Sequence, residues 1–322
     1  MKVACTSILV LLVMLWQGPL AYADQEPDRS FRLVSWNISG DSFVTHGDSF
    51  LAIMRHTRPD VLVLDEVLPS ATSGQLQEML TKIDPQDERP WNVDYGASGG
   101  RQRGVIASRL PIERSFAFTG VIPYPPGPRE TIAAQMTEQD HQWIRYSMEG
   151  GIPVNGAIVV VDEQRLLVVA VDLQCCGGAA DDWQEFRRQL EAKVINRLIN
   201  TEFSLRKIDA IVLAGDLNAV ATNYPVELLM GGKKAPQNKL LHAEILHLDG
   251  SSTWTWDGRS TPFASSILDY QFYSAAALVL VDSYVFDSED LDAETLTTLE
   301  LQPGTSRQMS RHRPLVADYS WR

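Results

Sequence analysis

Short apolar runs rich in β-branched residues recur along this chain, and most of them end at a carboxylate or an amide. Three such runs are Val61–Leu64 before Asp65-Glu66, Leu166–Val171 before Asp172, and Ile211–Ala214 before Gly215-Asp216. Runs of this length and composition are typical of strands buried in a sheet. Because a carboxylate at the end of a buried strand is costly unless it binds a partner, the pattern constrains both the fold and the place of any site.

Helical patterns alternate with these strands along the sequence. The strongest covers Trp183–Ile199, where Phe186, Leu190, Val194 and Leu198 recur every four residues, as on one face of a helix. Shorter helices are predicted at Phe50–His56 and Gln75–Ile83, and further strands at Phe31–Asn37, Gly104–Ala107, Ala157–Val161, Leu268–Tyr273, Ala277–Val281 and Pro314–Tyr319.

Nothing in the sequence divides it into two independent halves. Three segments rich in Gly, Pro or charge are predicted to be surface loops, namely Gly120–Arg129, Gly231–Lys239 and Asp287–Arg307. The turns between neighbouring strands are short, and the sequence has no internal repeat. It therefore predicts an α/β (α+β) fold, a single mixed domain over residues 24–322 with antiparallel strand pairing.

The first 23 residues have the pattern of a secretory signal peptide. Lys2 precedes the apolar stretch Ile8–Trp16, and Leu20–Ala23 ends in an A-x-A pattern. The apolar stretch falls short of the ~20 residues that a membrane span requires. We therefore expect cleavage after Ala23 and a secreted or periplasmic monomer with no stable membrane anchor.

The charge balance excludes a protein that is held to nucleic acid by bulk charge. The chain has 28 Lys and Arg against 41 Asp and Glu, a net charge of −13, whereas such binding needs clustered Lys and Arg. An enzyme that contacts only a few phosphates is compatible with this charge. The mature chain keeps only Cys175 and Cys176, which we expect to be small, semi-buried residues because one pair is no disulfide framework.

Five short motifs occur in a fixed order along the chain: Ser35-Trp36-Asn37, Asp65-Glu66, Gly215-Asp216-Leu217-Asn218, Leu268-Asp269-Tyr270 and Ser310-Arg311-His312-Arg313-Pro314. This set resembles the endonuclease/exonuclease/phosphatase superfamily, which includes DNase I-like nucleases, sphingomyelinases and inositol polyphosphate phosphatases. The resemblance covers about residues 31–322. It implies a four-layer sandwich in which two mixed β-sheets pack face to face with helices outside.

The resemblance also implies a reaction, the hydrolysis of a phosphoester bond by in-line attack of water with a divalent metal. Glu66 matches the main metal ligand, with Asn37 beside it, and Mg²⁺ is the common ion, with Mn²⁺ or Ca²⁺ as alternatives. Such hard ions take oxygen ligands and keep several waters, so one or two carboxylates suffice.

The remaining matched residues take roles in catalysis. Asp216 matches the residue that orients or deprotonates the attacking water, and Asn218 matches an amide that positions the phosphate. Asp269 matches a further carboxylate, and His312 matches the histidine that binds the scissile phosphate or acts as an acid.

Two positions depart from the family pattern. Arg311 stands where the family usually has Asp before the final histidine, and an adjacent cation should favour the neutral imidazole of His312 unless Asp269 reaches it. Asp172 stands where the family often has a histidine. We include Asp172 in the site, where it could take part in metal binding or select a different leaving group.

These departures keep two alternatives open. One is a catalytically weak or inactive binding protein on the same fold. The other is a serine hydrolase that uses Ser98, because Gly96–Gly100 reads G-x-S-x-G, although that motif needs a following helix and a strand is predicted there.

The substrate is a phosphoester whose class the sequence leaves open: nucleic acid, a phospholipid headgroup or a small phosphodiester. Candidate phosphate contacts near the rim are Arg101, Arg103, Arg109, Arg129 and Arg145. Trp254, Trp256 and Phe263 could stack a base or touch a lipid surface, or form one packed face of a strand.

Overall fold

A computed structural model describes residues 29–137, 148–231 and 239–322. The predicted signal peptide at 1–23, Arg145 and most of the predicted loop Gly231–Lys239 lie outside the described residues. Within the described ranges, no helix is long and apolar enough to cross a membrane.

The described strands number thirteen. They are β1 (Phe31–Gly40), β2 (Val61–Val67), β3 (Asn92–Tyr95), β4 (Arg103–Ser108), β5 (Ile112–Arg114), β6 (Val154–Val161), β7 (Gln164–Asp172), β8 (Ala210–Asp216), β9 (Leu241–His242), β10 (Leu246–His247), β11 (Asp269–Tyr273), β12 (Leu278–Val285) and β13 (Leu315–Trp321). A seven-stranded sheet has the order β10-β12-β13-β1-β2-β4-β3, and a six-stranded sheet has the order β5-β6-β7-β8-β11-β9. Both are mixed, since β1 and β2 run parallel in the first, and β7 and β8 in the second.

The helices lie between these strands in the chain. They are α1 (Ser42–Thr45), α2 (Gly47–Thr57), α3 (Ser73–Thr81), α4 (Pro126–Ala133), α5 (Trp183–Leu205), α6 (Tyr224–Leu229), α7 (Ala293–Thr298) and α8 (Thr305–Met309). A short 3-10 turn covers Ser288–Asp290.

Alternation along the strands sorts apolar side chains into three buried clusters. In β1, Phe31 and Leu33 belong to the cluster between the two sheets. Val34 and Trp36, at the intervening positions, belong to the cluster beneath α2 and α3. A third cluster joins the outer face of the six-stranded sheet to α5. Because successive side chains of a strand point to opposite faces, β1 contributes to the core between the sheets and to the core under the outer helices. Two mixed sheets with helices outside confirm the predicted four-layer sandwich.

A buried glutamine links the two sheets just below their common edge. Gln271 of β11 is fully buried, and its amide nitrogen donates to Ser35 Oγ at 3.1 Å and to the Leu315 carbonyl at 2.9 Å. Its amide oxygen accepts a hydrogen bond from the Tyr319 hydroxyl at 3.1 Å. Since the three partners belong to β1 and β13, this network fixes how the six-stranded sheet sits on the seven-stranded one.

The predicted core elements are confirmed, and two predicted loops are wrong in part. The segment predicted as the loop Gly120–Arg129 contains the start of α4, which begins at a proline that suits the first turn of a helix. The predicted loop Asp287–Arg307 contains the 3-10 turn, α7 and most of α8. Two of its acidic residues are caps, since Asp287 accepts a hydrogen bond from the Glu289 amide and Asp292 accepts one from the Thr295 amide.

Replacing the buried glutamine should weaken the contact between the sheets. We expect Gln271→Met to lower the free energy of unfolding by about 2–4 kcal/mol, because three buried polar partners lose their hydrogen bonds. Urea unfolding measures the loss, and the exposed Gln302→Met is the control, with a change within about 0.5 kcal/mol. A loss as small as the control's would contradict this role of Gln271.

Candidate active site

Three carboxylates stand side by side at one edge of the six-stranded sheet. Asp172 ends β7, Asp216 ends β8, and Asp269 begins β11. The strand register pairs Asp172 with Asp216 and Asp216 with Asp269. Each carboxylate lies an even number of positions from a residue of its own strand that lines the cluster between the sheets, such as Ala170 in β7 or Ala214 in β8. Because alternate side chains of a strand share a face, all three carboxylates face the other sheet.

The seven-stranded sheet presents a second row opposite the first. Asn37 of β1 pairs in register with Asp65 of β2, and His312 lies just before β13, which is the other neighbour of β1. All of these side chains are buried. Of the predicted site residues, those of the two rows therefore come together between the sheets, namely Asn37, Asp172, Asp216, Asp269 and His312, and Asp65 joins them.

Irregular backbone lies where this second row ends. The β1–β2 register shifts between Asn37 and Gly40, and the β2–β4 register shifts between Leu64 and Val67. Glu66 adopts a φ of 55°, which is uncommon for a residue other than glycine. A bulge re-aims side chains, and the charges of the consecutive residues Asp65 and Glu66 both raise the pKa of Asp172.

Asp216 lies at the centre of the site. Its carboxylate accepts a hydrogen bond from Asn37 Nδ2 at 3.3 Å and from the Asn218 amide at 2.9 Å. Burial, the charge of Asp269 and the charge of Glu66 outweigh the opposing charge of His312 and raise the pKa of Asp216 to about 8. A carboxyl group with such a pKa can accept a proton near neutral pH.

Asn218 is held close to Asp216 by its backbone and its side chain. It has a φ of 47°, a conformation that Asn tolerates better than most residues. Its Nδ2 donates to the Leu173 carbonyl at 3.0 Å. This bond uses one of the two amide N–H groups, so the other can serve a phosphate oxygen.

The imidazole of His312 is paired with Asp269. Its Nδ1 lies 2.9 Å from Asp269 Oδ2, which also accepts a hydrogen bond from Thr255 Oγ1 at 2.6 Å. Burial alone would lower the pKa of His312, but Asp269 and Asp216 outweigh that effect and raise it to about 10. Its Nε2 is 3.8 Å from Asp216 Oδ2, so the ring presents a proton to the centre of the site.

The exception stated for Arg311 applies, because Asp269 reaches the imidazole of His312. The Arg311 guanidinium donates to the carbonyls of Asp257 and Arg259, both at 3.0 Å, and so it is directed away from the imidazole. Asp269 takes the place of the usual preceding Asp and favours the protonated ring.

Sequence reasoning missed Asp65 as a site residue. Its carboxylate is fully buried, and burial followed by the charges of Asp269 and Asp216 raises its pKa well above the ordinary value. The signal was present in the alternation of β2, where Val61 and Val63 face the other sheet and Asp65 is the next residue in phase.

Ser98 is not a nucleophile in this structure. Its hydroxyl donates to the Ile152 carbonyl at 2.6 Å and accepts from the Ile122 amide at 3.0 Å. Both nitrogens of His312 face carboxylates instead. The segment Gly96–Gly100 is also followed by the strand β4, whereas a G-x-S-x-G nucleophile is followed by a helix.

The predicted phosphate-binding arginines are dispersed. Arg103 begins β4 opposite Val67, at the site end of the sheet. Arg109 follows the other end of β4 and forms a buried ion pair with Asp87, so its assignment to the rim is wrong. Arg101 is exposed, and Arg129 lines a separate cavity with Tyr124 and Met148.

The aromatic loop divides into packed and exposed residues. Trp254 contacts the His247 ring at 4.3 Å between centroids and lies 5.2 Å from the Arg313 guanidinium. Trp256 pairs through its backbone with Ser266 and His312. Phe263 is 71% exposed, whereas Trp254 and Trp256 are half-buried, so Phe263 has the most accessible ring of the three.

The two cysteines are exposed rather than semi-buried. Their Sγ atoms lie 2.9 Å apart in the loop after β7. The buried Arg188 donates to the backbone carbonyls of Gln174 and Cys176 at 2.9 and 2.6 Å. The guanidinium of Arg188 therefore holds the backbone of the loop that carries the two exposed cysteines.

The donor set fits a hard divalent cation. One oxygen each of Asp65, Asp172 and Asp216 lie within 4.8 Å of one another, and so do ligand atoms of Asp216, Asp269 and His312. Carboxylate oxygens are the ligands that Mg²⁺, Mn²⁺ and Ca²⁺ prefer. Glu66 belongs to neither of these two groups, although its charge raises the pKa values of Asp172 and Asp216.

The family assignment follows from a sequence-family model. The model of the Endonuclease/Exonuclease/phosphatase family matches residues 34–312, which includes every residue of the two rows. The chain belongs to the endonuclease/exonuclease/phosphatase family. The predicted enzyme class, a hydrolase of phosphoester bonds in a family of divalent-metal-dependent enzymes, is confirmed by this membership.

Solved structures share the endonuclease/exonuclease/phosphatase fold. A family member from Bacteroides vulgatus is 13% identical, with a TM-score of 0.56, and the match covers 91% of this chain and 99% of the other. The human Nocturnin catalytic domain with bound sulfate anion is 16% identical, with a TM-score of 0.52 and coverages of 92% and 96%. D. rerio TDP2 complexed with single strand DNA product is 16% identical, with a TM-score of 0.52 and coverages of 90% and 98%. No curated protein matches the chain by sequence.

A buried histidine beside the site gives a pH-dependent stability. His247 Nδ1 lies 3.0 Å from Asp290 Oδ2, and Nε2 lies 2.9 Å from the Trp254 carbonyl. Burial lowers the pKa of His247, but these two contacts outweigh burial and raise it. The protonated ring can donate at both nitrogens, so its stabilisation is full below the unfolded pKa of about 6.5 and is lost as pH rises through the folded pKa.

We therefore expect His247→Gln to cost more at pH 5.5 than at pH 9. The loss at pH 5.5 should be about 1.5–3 kcal/mol, the range for a hydrogen bond to a charged group, and urea unfolding at both values measures it. His46→Gln, on an exposed histidine, is the control. An equal loss at both pH values would contradict a protonated His247.

Proposed function

We propose that this protein hydrolyses phosphodiesters with a divalent metal, by in-line attack of water. The observation that carries the proposal is the convergence of Asp172, Asp216 and Asp269 on Asn37 and His312 between the two sheets. Glu66, with Asn37, would hold the ion, with Mg²⁺ favoured and Mn²⁺ or Ca²⁺ as alternatives. When bound, the ion supplies positive charge to the phosphate oxygens.

Asp216 is assigned to the attacking water. Its position at the centre of the two rows and its raised pKa suit a group that orients a water and accepts its proton. Asn37 and the Asn218 amide fix the carboxylate from two directions. The side chain of Asn218 is assigned to a phosphate oxygen.

We assign His312 to stabilising the negative charge that develops on the phosphate or the leaving group. Because Asp269 keeps the ring protonated, Nε2 can donate a hydrogen bond to a phosphate oxygen or a proton to a leaving group. Asp269 acts through the imidazole, and Thr255 holds Asp269 in turn.

We propose a substrate that engages few phosphates at once. The net charge of −13 and the dispersed arginines support a nucleic acid end, a phospholipid headgroup or a small phosphodiester over a long duplex. Nocturnin with sulfate and TDP2 with a single strand DNA product share the fold, so nucleic acid ends belong in the substrate panel.

We also propose that the protein is exported as a monomer. The signal pattern supports cleavage after Ala23. N-terminal sequencing of the exported protein should begin at Asp24, and light scattering should give the mass of one chain.

The first test is hydrolysis of bis(p-nitrophenyl) phosphate by residues 24–322. We expect turnover with Mg²⁺ or Mn²⁺, none with EDTA, and a loss of about 100- to 10,000-fold in kcat for Asp216→Ala, the range for removal of a general base. We expect Glu66→Ala to lower kcat and to raise the metal concentration that gives half-maximal activity. DNA, RNA and sphingomyelin then follow as substrates.

The control is Glu78→Ala, a carboxylate whose side chain is 76% exposed on α3, and it should stay within about twofold of the wild type. Folded protein that releases nothing with any metal would contradict the proposal and favour a binding protein on this fold. Activity that survives EDTA would contradict the metal.

A further inference from the structure

Two carboxylates of the site have no partner of their own. Asp65 is 0% exposed and Asp172 is 2% exposed. All four of their side-chain oxygens are buried, and none receives a hydrogen bond from the part of the chain that the structure describes. The other acidic groups here are different, since Asp216 accepts from Asn37 and Asn218, and Asp269 accepts from Thr255 and pairs with His312.

The two unpartnered carboxylates approach each other from opposite sheets. Asp65 comes from β2 of one sheet, and Asp172 comes from β7 of the other. One oxygen from each lies within 4.8 Å of the other and of an oxygen of Asp216. An ion centred among three oxygens that are at most 4.8 Å apart lies about 2.8 Å or less from each of them. Small shifts of the side chains would shorten these separations to the metal–oxygen distances of bound Ca²⁺ or Mg²⁺.

A divalent ion would supply the partner that these four oxygens lack. A buried carboxylate without a partner is costly, and hard cations such as Mg²⁺ and Ca²⁺ take carboxylate oxygens as ligands. Asp65 and Asp172 form a group with Asp216, whereas the first ion is assigned to Glu66 and Asn37, so these oxygens are left for a second ion.

We propose that Asp65, Asp172 and Asp216 form a second divalent-cation site, distinct from the ion assigned to Glu66. The family pattern does not imply it, because the resemblance places a histidine where this chain has Asp172. The inference rests on the proposed function only for the first ion. Asp65 and Asp172 would serve the second ion alone, whereas Asp216 would also face the attacking water.

The experiment counts bound Mn²⁺. Metal-stripped protein, residues 24–322, is titrated with MnCl₂ at pH 7.5, and free Mn²⁺ is read from its electron paramagnetic resonance signal. We expect two ions per chain for the wild type. Asp65→Asn with Asp172→Asn should bind one, and Glu66→Gln should also bind one. Asp94→Asn, which alters a partnered carboxylate outside the cluster, should bind two.

A stability readout accompanies the count. In EDTA, the double variant should melt at a higher temperature than the wild type, because two unpaired buried carboxylates have been removed, and Mn²⁺ should raise its melting temperature less. If the double variant does not fold, Asp172→Asn alone is measured and should also lose one ion.

A wild type that binds a single ion, or a double variant that keeps two, overturns the second site. Such a result would mean that Asp65 and Asp172 share a proton instead. Failure of the proposed function looks different, since two ions bound without phosphodiester hydrolysis would support this site and contradict only the activity.

Discussion

Like-charged carboxylates buried between two sheets are the constraint on which the rest of this structure depends. Asp65, Asp172 and Asp216 come within 4.8 Å of one another, and their repulsion together with lost hydration opposes the packing of the sheets. The apolar cluster between the sheets and the hydrogen bonds of Gln271 hold that packing. The scaffold thus keeps an arrangement that favours the binding of cations, and this is the physical basis of the proposed chemistry.

The backbone places these groups by a few local devices. Gly215 allows β7 and β8 to approach closely, because a Cβ there would lie 2.0 Å from the Val171 carbonyl oxygen. Glu66 and Asn218 both adopt positive φ values, and non-glycine residues in such conformations cost about 1–3 kcal/mol each. Two of the positions that carry such strain are therefore ones that the proposed reaction uses, with Glu66 at the metal and Asn218 at the phosphate.

Much of this arrangement could be predicted from the sequence, because strand alternation and strand ends are local properties. The apolar runs before Asp172 and Asp216 became β7 and β8, and the motif order supplied Glu66 and His312. Convergence itself could not be derived locally and came from the family resemblance. The bulge at Glu66 is hidden because one extra residue barely alters a short apolar run. Arg109 was placed at the rim wrongly, because the local sequence does not show which end of β4 faces the site.

The most direct test of the account is a crystal structure with Mn²⁺, read from the anomalous difference map. We expect one peak beside Glu66 and Asn37 and a second among Asp65, Asp172 and Asp216, with His312 still paired to Asp269. An empty gap in which the Asp65 and Asp172 carboxyl groups hydrogen-bond to each other would contradict a cation-binding centre between the sheets.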